Sequence, residues 1–104
     1  MSAENNIEEL IKQVTSHAGV QGFIIVNNEG IPIRHSFADS SRLLAIQYSA
    51  LLQNLAQKAK AAIHELEPTN DLVFLRLRSK KHEILVAPES KYLLIVIQSP
   101  VAQQ

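Results

Sequence analysis

One uninterrupted helical pattern constrains the fold of this chain more than any other feature. From about Arg42 to Leu66 the sequence has no glycine or proline, and Pro68 limits the far end. About 25 residues at 1.5 Å per residue make a helix of about 37 Å. This is long for a chain of 104 residues, for which a single domain is expected.

The apolar side of this helix is broader than one sheet requires. The band spans roughly 140°, whereas a helix that covers only its own sheet needs about 100°. Its width and its small alanines favour a second partner close by, although a broad band lying deep on a small sheet is the alternative. The band comprises Leu44, Tyr48, Leu51, Leu52, Leu55, Ala56, Ala59, Ala62, Ile63 and Leu66.

The rest of the chain predicts one short helix and five strands. Apolar residues at helical spacing predict an amphipathic helix over residues 7–18, ended by Gly19. The predicted strands are 20–26, 31–37, 72–78, 83–87 and 92–98. The resulting order, α-β-β-α-β-β-β, is an α/β (α+β) arrangement with polar tails at 1–6 and 99–104 and a single domain at 7–98.

Hydrophobic patterning also predicts where the strands lie. Residues 23–26 and 92–97 do not alternate, so both runs should be covered on two faces, the last strand at the middle of the sheet. Pro32 places the second strand at an edge. Asp39, Ser40 and Ser41 are N-cap candidates for the long helix.

Composition excludes several classes of function. Ten basic and ten acidic residues give no net charge and no footprint for nucleic acid. The absence of cysteine excludes disulfides, a thiol nucleophile and Cys-ligated zinc. Apolar runs are strand-sized, so no membrane insertion is expected, and no secretory signal is visible. We therefore expect a cytoplasmic protein.

No motif predicts catalysis or a cofactor. The three glycines cannot form a phosphate-binding loop, and no Gly-Lys-Ser/Thr follows them. The four histidines, His17, His35, His64 and His82, do not share metal-ligand spacing. We expect no enzyme activity, no cofactor and no metal.

The densest charge feature is the basic group Arg76, Arg78, Lys80 and Lys81. It fits a docking patch for an acidic partner or a phosphate. It fits better a solvated edge strand and turn, where basic side chains discourage unwanted pairing.

Long stretches of the chain resemble roadblock-type dynein light chains. Residues 19–33, Gly-Val-Gln-Gly-Phe-Ile-Ile-Val-Asn-Asn-Glu-Gly-Ile-Pro-Ile, resemble the family's first hairpin. Residues 70–88 are similar to its third and fourth strands, and 92–100 to its last strand and tail. The similarity covers about residues 7–100 and is nearest to the dynein light chain itself. The apolar link at 36–46 departs from the Thr-rich link expected in the family, which leaves the start of the long helix open.

This resemblance implies a fold and an assembly. The roadblock fold has a five-stranded antiparallel sheet, ordered 2-1-5-4-3, between the first helix and the long helix. Its homodimer packs the long helices antiparallel and joins the third strands into a continuous ten-stranded sheet. Carried onto this chain, the dimer interface comprises Tyr48, Leu51, Leu52, Leu55, Ala59, Leu72, Val73, Phe74, Leu75, Arg76 and Leu77.

The resemblance also implies a role. A light chain of this family is non-catalytic, binds the dynein intermediate chain and supports motor assembly and cargo attachment on microtubules. We place Arg76 and Lys80 at the rim of the partner site. The expected location is the cytoplasm and cytoskeleton, or a cilium or flagellum. The alternative is a roadblock-type scaffold or regulator of a Ras-like small GTPase.

Overall fold

A computed structural model describes residues 3–100 of the chain, with side chains from residue 7 onward. It contains two helices, five strands and a single 3₁₀ turn at Asp39–Ser41. The elements in chain order are α1 (Ala3–Thr15), β1 (Val20–Asn27), β2 (Pro32–His35), α2 (Arg42–Leu66), β3 (Leu75–Arg78), β4 (Glu83–Pro88) and β5 (Tyr92–Gln98).

The strands form one antiparallel sheet in the order β2-β1-β5-β4-β3. β5 pairs with β1 on one side, where Ile95 lies opposite Ile24, and with β4 on the other, where Ile95 lies opposite Val86. The sheet order, the central position of the last strand and the edge position of the second are therefore confirmed.

The two helices cover opposite faces of this sheet. Ile24, Val26 and Ile95 belong to the core beneath α2, and all three are fully buried. Phe23 and Ile25 alternate with them and point to the face on which α1 contacts β1. Side chains of neighbouring residues in a strand point to opposite faces, so the unalternating run in β1 is covered on both sides, as predicted.

The first helix is shifted from its predicted position. It begins at Ala3, inside the predicted polar tail, and ends at Thr15 rather than near residue 18. The hydroxyl of Thr15 donates to the Ile11 carbonyl at 2.8 Å and that of Ser16 to the Gln13 carbonyl at 2.8 Å. Such side-chain bonds compete with the helical ladder and favour its end. Residues 1–2 and 101–104 of the predicted tails lie outside the described residues.

The second strand is shorter than predicted, because its backbone pairing with β1 ends at Ser36, whose amide donates to the Phe23 carbonyl at 3.2 Å, and side chains take part in the bonds around this point. The Phe23 amide donates to the Ser36 hydroxyl at 2.9 Å, and the Phe37 amide donates to His35 Nδ1 at 3.1 Å. The strand therefore covers Pro32–His35 instead of residues 31–37.

The long helix begins at Arg42 and ends at Leu66, as predicted. Ser41 is its N-cap, but no side chain makes a capping hydrogen bond there. A 3₁₀ turn leads into the helix instead, closed by the Ser41 amide donating to the Ala38 carbonyl at 2.8 Å.

The third strand is also shorter than predicted, starting at Leu75 rather than Leu72. Leu75 lies opposite Val86 in the β3–β4 ladder, so continuing the register backwards would place Val73 opposite Pro88. Pro88 has no N–H to donate. The Glu89 amide is already used in the next turn, where it donates to the Tyr92 carbonyl at 2.8 Å. The ladder therefore stops before Phe74.

The β1–β2 turn is fastened to α2 through Gln53. Its Nε2 donates to the Asn28 carbonyl at 2.8 Å, while its Oε1 is buried without a hydrogen-bond partner beside Gly30. Gly30 has φ +85°, a conformation that side chains rarely adopt.

We expect Gly30→Ala to destabilise the fold more than Gly19→Ala. Both glycines have positive φ, which makes alanine strained by about 1 kcal/mol. A Cβ at Gly30 would also lie 3.2 Å from Gln53 Oε1, whereas a Cβ at Gly19 meets nothing within 4 Å. Urea unfolding of both variants measures the difference, and equal losses would contradict a packing role for Gly30.

We expect Ile95→Ala to lower the free energy of unfolding by about 2–5 kcal/mol, because it opens a cavity at the centre of the core. Ile95 is fully buried. Leu43→Ala is the matched control, since Leu43 is 81% exposed and should change stability by less than about 0.5 kcal/mol. Both variants are unfolded in urea at one protein concentration.

Candidate functional site

The long helix has one side against the sheet and one side that no other described residue covers. Its inner side consists of Ala45, Ser49, Leu52 and Ala56, all buried. Ser49 is tolerated there because its hydroxyl donates to the Ala45 carbonyl at 2.8 Å. Leu52, predicted as an interface residue, therefore lies in the protomer's own core.

Four exposed leucines form what we call the outer stripe of α2, Leu44, Leu51, Leu55 and Leu66. At 100° per residue they fall within about 60° of the helix circumference. Leu51 is 62% exposed although it lies at the middle of the helix. The wide apolar band predicted from sequence is thus two adjoining surfaces, of which only one is used inside the protomer.

Two further predicted interface residues lie between these surfaces. Tyr48 is half-buried and packs edge-on against the Phe37 ring, with ring centroids 5.9 Å apart. Ala59 is also half-buried. Each therefore has one side in the protomer and one side toward the outer stripe.

The outer stripe lies on the side of α2 away from β2. Gln53 on the opposite flank bonds to Asn28 in the β1–β2 turn, and Ile46 lines a pocket with Ile31 and Ile33 of the β2 region. Because β2 and β3 are the two edges of the sheet, the outer stripe faces the β3 side.

The β3 side ends in an open edge. β3 pairs only with β4, and no other strand of the described chain lies beside it. Just before the strand, Val73 is 76% exposed and Phe74 is 57% exposed. Large apolar residues at an unpaired edge are unusual in a monomer, because such edges promote association.

The predicted strand residues of the interface separate onto different surfaces. Leu75 and Leu77 pack against the core beneath α2, and Leu72 is half-buried. Val73 and Phe74 are exposed. Leu51 and Leu55 on α2, and Val73 and Phe74 just before β3, are therefore separate pairs of uncovered apolar residues toward the β3 side.

Arg76 does not lie on the same face as Leu75 and Leu77. Its Nε lies 3.7 Å from a carboxylate oxygen of Glu83, whose other oxygen accepts a hydrogen bond of 2.7 Å from Gln98 Nε2. Glu83 is only 6% exposed. Sequence reasoning missed it, although a glutamate that opens an apolar strand near an arginine-bearing strand is a usable signal.

Lys80 lies in the tight turn between β3 and β4. The Ser79 amide donates to the His82 carbonyl at 2.8 Å, and the His82 amide donates to the Ser79 hydroxyl at 3.0 Å. The four residues of β3, about 13 Å of strand, separate this turn from Phe74. The structure thus places Lys80 and Phe74 at opposite ends of the strand.

The titratable side chains of the described residues are dispersed. Among residues 7–100, whose side chains are described, no group of three or more His, Asp or Glu is arranged to hold a metal. His64 Nε2 lies 3.2 Å from Asp71 Oδ1 and ties the end of α2 to the segment before β3. Partial burial and the nearby Glu89 raise the pKa of Tyr92, so its phenol stays protonated at neutral pH.

Neither helix of residues 3–100 has the combination of length and hydropathy needed to cross a bilayer. The candidate site consists of an apolar helix stripe and an apolar, unpaired sheet edge, both exposed in the described residues.

Known structures share this fold. A Roadblock/LC7 domain from Streptomyces avermitilis superposes with a TM-score of 0.76 at 15% identity, covering 89% of this chain and 77% of that one. Myxococcus xanthus MglB gives 0.73 at 14% identity, over 98% and 82% of the two chains. The gliding protein mglB of Thermus thermophilus gives 0.73 at 14% identity, over 99% and 78%. At these identities the likeness shows the fold.

The sequence itself matches the model of the Roadblock/LC7 domain over residues 6–99. This match includes α1 from residue 6 onward, all of α2 and all five strands. The chain belongs to the Roadblock/LC7 domain family.

Proposed function

We propose that this protein is a homodimeric adaptor, not an enzyme, that regulates or scaffolds a Ras-like small GTPase. The observation that carries the proposal is the outer stripe of α2 lying uncovered on the same side as the open β3 edge. A surface of this kind serves association, and the described residues bring no set of catalytic groups together.

A second copy of the chain is the partner that completes this surface. A two-fold contact uses the same patch twice, so one sequence supplies both sides. Antiparallel α2 helices would bury Leu51 and Leu55 against their symmetry mates, and two β3 edges would pair into a ten-stranded sheet. Fully burying a leucine contributes about 1.5–3 kcal/mol, and the cost of association is about 4–15 kcal/mol. Two leucines from each protomer would contribute at most about 6–12 kcal/mol, which is comparable with that cost, so we expect the paired β3 edges to add to the stability of the dimer.

The GTPase part of the proposal is supported by the kind of protein that shares the fold. The three superposed structures come from bacteria, one is described as a gliding protein, and none is described as a motor subunit. Regulation of a small GTPase was the alternative implied by the sequence resemblance. Since the chain has no phosphate-binding loop of its own, the nucleotide would be held by the partner.

Two of the four arginines have partners within the protomer. Arg34 pairs with Glu8 on α1, and Arg76 lies beside the buried Glu83. An arginine supplied to a GTPase transition state must reach out of its own protein. We therefore favour control through binding and positioning of the GTPase over donation of either arginine.

A dynein light chain is the second candidate. The specific observation in its favour is the resemblance of residues 19–33 and 70–88 to roadblock-type light chains. In that role the dimer would bind a segment of the dynein intermediate chain in the cytoplasm, at the cytoskeleton or in a cilium. The same dimer surface would be required, so oligomeric state does not distinguish the two candidates.

We expect Leu55→Asp to convert the dimer into a monomer. The substitution places two unpaired carboxylates in the apolar contact, which costs about 3 kcal/mol or more and weakens association roughly 100-fold. Light scattering after size exclusion measures the mass. Ala61→Asp is the control, because Ala61 is exposed on another side of α2, and it should remain dimeric. A dimeric Leu55→Asp protein with native circular dichroism would contradict the interface.

We expect the dimer to bind a Ras-like GTPase of its own organism about tenfold more tightly in one nucleotide state than in the other. Each GTPase is loaded with GTP or GDP, and binding and hydrolysis are measured with wild-type and Leu55→Asp protein. An intermediate-chain segment is tested in parallel. Binding of that segment without binding of any GTPase would reverse the order of the two candidates.

A further inference from the structure

A second group of exposed apolar residues lies at the β2 edge of the sheet, away from β3. Ile31 and Ile33 on the β2 side are 54% and 47% exposed, and Ile46 of α2 is 42% exposed. The three side chains line one cleft of about 310 Å³ between β2 and the first half of α2, which we call the isoleucine cleft. A single water needs only about 10–15 Å³, so the cleft has room for side chains of a partner.

The isoleucine cleft is not part of the proposed dimer surface. At 100° per residue, Ile46 lies at least about 140° from every leucine of the outer stripe. β2 and β3 are the two opposite edges of the sheet. A dimer joined at its β3 edges would leave an isoleucine cleft open at each end of the ten-stranded sheet. An inference from this cleft therefore goes beyond the proposed function and does not depend on it.

The β2 edge also presents backbone groups to the open side. The Ser36 amide donates to the Phe23 carbonyl at 3.2 Å, so Ser36 faces β1. Backbone groups of successive residues in an antiparallel strand point alternately toward and away from the neighbouring strand. His35, which lies opposite Ile24, therefore directs its N–H and C=O away from β1. No other strand of the described chain lies on that side.

His35 is held in place on this edge. Its Nδ1 accepts a hydrogen bond of 3.1 Å from the Phe37 amide, and its ring lies edge-on to the Phe37 ring, with centroids 6.1 Å apart. On the other face of β2, Arg34 pairs with Glu8 of α1. These contacts fix the strand from both faces, so an added strand would meet an ordered edge.

The β2 edge is short, which limits what can pair with it. The strand has four residues, Pro32 has no N–H to donate, and the register shifts between Ile25 and Val26. Proline and irregular register protect an edge from indiscriminate pairing. Backbone pairing over so few residues is weak, so selective binding here needs side chains in the isoleucine cleft as well.

We propose that the β2 edge binds an extended segment of a partner protein, which adds a sixth strand to the sheet and places branched aliphatic side chains in the isoleucine cleft. Backbone bonds to His35 would orient the segment. Side chains two residues apart in a strand lie on one face, about 6.6 Å apart, so valine or isoleucine at two such positions would contact Ile33 and Ile46. A helix would leave the backbone groups of His35 without partners, and for this reason the geometry favours an extended segment.

The test uses a synthetic peptide that alternates valine and threonine over eight residues, with a lysine at each end for solubility. It is added to the isotope-labelled full chain. We expect saturable binding, with the largest amide chemical-shift changes at Ile33 and His35. Hydrogen exchange of the His35 amide should slow at least about tenfold in the complex, because this N–H gains an acceptor. Docking of side chains alone would leave that amide unprotected.

A matched peptide separates strand pairing from hydrophobic contact. It has the same sequence with N-methyl groups on its amides, which keeps the valine side chains and removes the N–H donors. Since backbone bonds to the β2 edge are lost, it should bind about tenfold more weakly than the parent peptide.

Substitutions in α2 test the cleft without changing the backbone of β2. Ile46→Asp places a carboxylate in the apolar cleft and should weaken binding of the parent peptide about tenfold. Gln47→Asp is the matched control, because Gln47 is exposed at the next position of α2 and does not line the cleft. It should change the affinity by less than about twofold. Circular dichroism establishes that both variants are folded.

Three results would overturn the proposal. The first is equal binding of the parent and N-methylated peptides, or saturable binding of neither. The second is a pattern of shift changes centred on Leu75 and Leu77 at the β3 edge. The third is protection of the His35 amide that rises with protein concentration in the absence of peptide, which would assign the β2 edge to a second copy of this chain.

Discussion

The pairing of β5 on both of its edges is the constraint on which the rest of this structure depends. β5 joins β1 to β4 and so connects the N-terminal hairpin with the C-terminal strands. Ile95 and Val96, neighbours in this strand, are both buried, the first fully, and they point to opposite faces. Both faces of the sheet must therefore carry a layer near the centre. The positions of α1 and α2 follow from this requirement, because each helix has only one apolar side to place against the sheet.

The two helices cover their faces of the sheet to different extents. The apolar surface that is left uncovered provides the candidate binding surfaces. α2 is long enough to cross its face and still present an outer row of leucines to a partner. α1 has 13 residues and lies toward β1 and β2, so β4 and β5 are left partly open beneath it. A domain of this size can thus offer two separate apolar surfaces without loosening its core.

Sequence reasoning predicted the strongly patterned elements well. The bounds of α2 and β5 are as expected, because a long run without glycine or proline and an unalternating apolar run between turn residues are both strong signals. The ends of the weaker elements were wrong where local hydrogen bonds decide, as with Thr15 and Ser36. The start of β3 depends on Pro88, more than ten residues further along the chain, and no local pattern near Leu72 reveals that contact.

For the site, the apolar band on α2 was predicted. Its division between core and surface, which places Leu52 inside, depends on the position of the sheet. Glu83 and the isoleucine cleft were not predicted, since both arise only when elements distant in sequence lie side by side.

The segment that precedes β3 is held by side-chain contacts, although it pairs with no described strand of the protomer. The Leu72 amide donates to Asp71 Oδ1 at 3.0 Å, and the same carboxylate lies against His64 at the end of α2. Val73 and Phe74 follow directly, exposed and outside any ladder of the protomer. A strand arm held at its root loses less conformational freedom on pairing than a free segment does. Two protomers would then associate through β3 edges that are already ordered, without a segment that folds on binding. The rate of association would be set by how often the two edges meet.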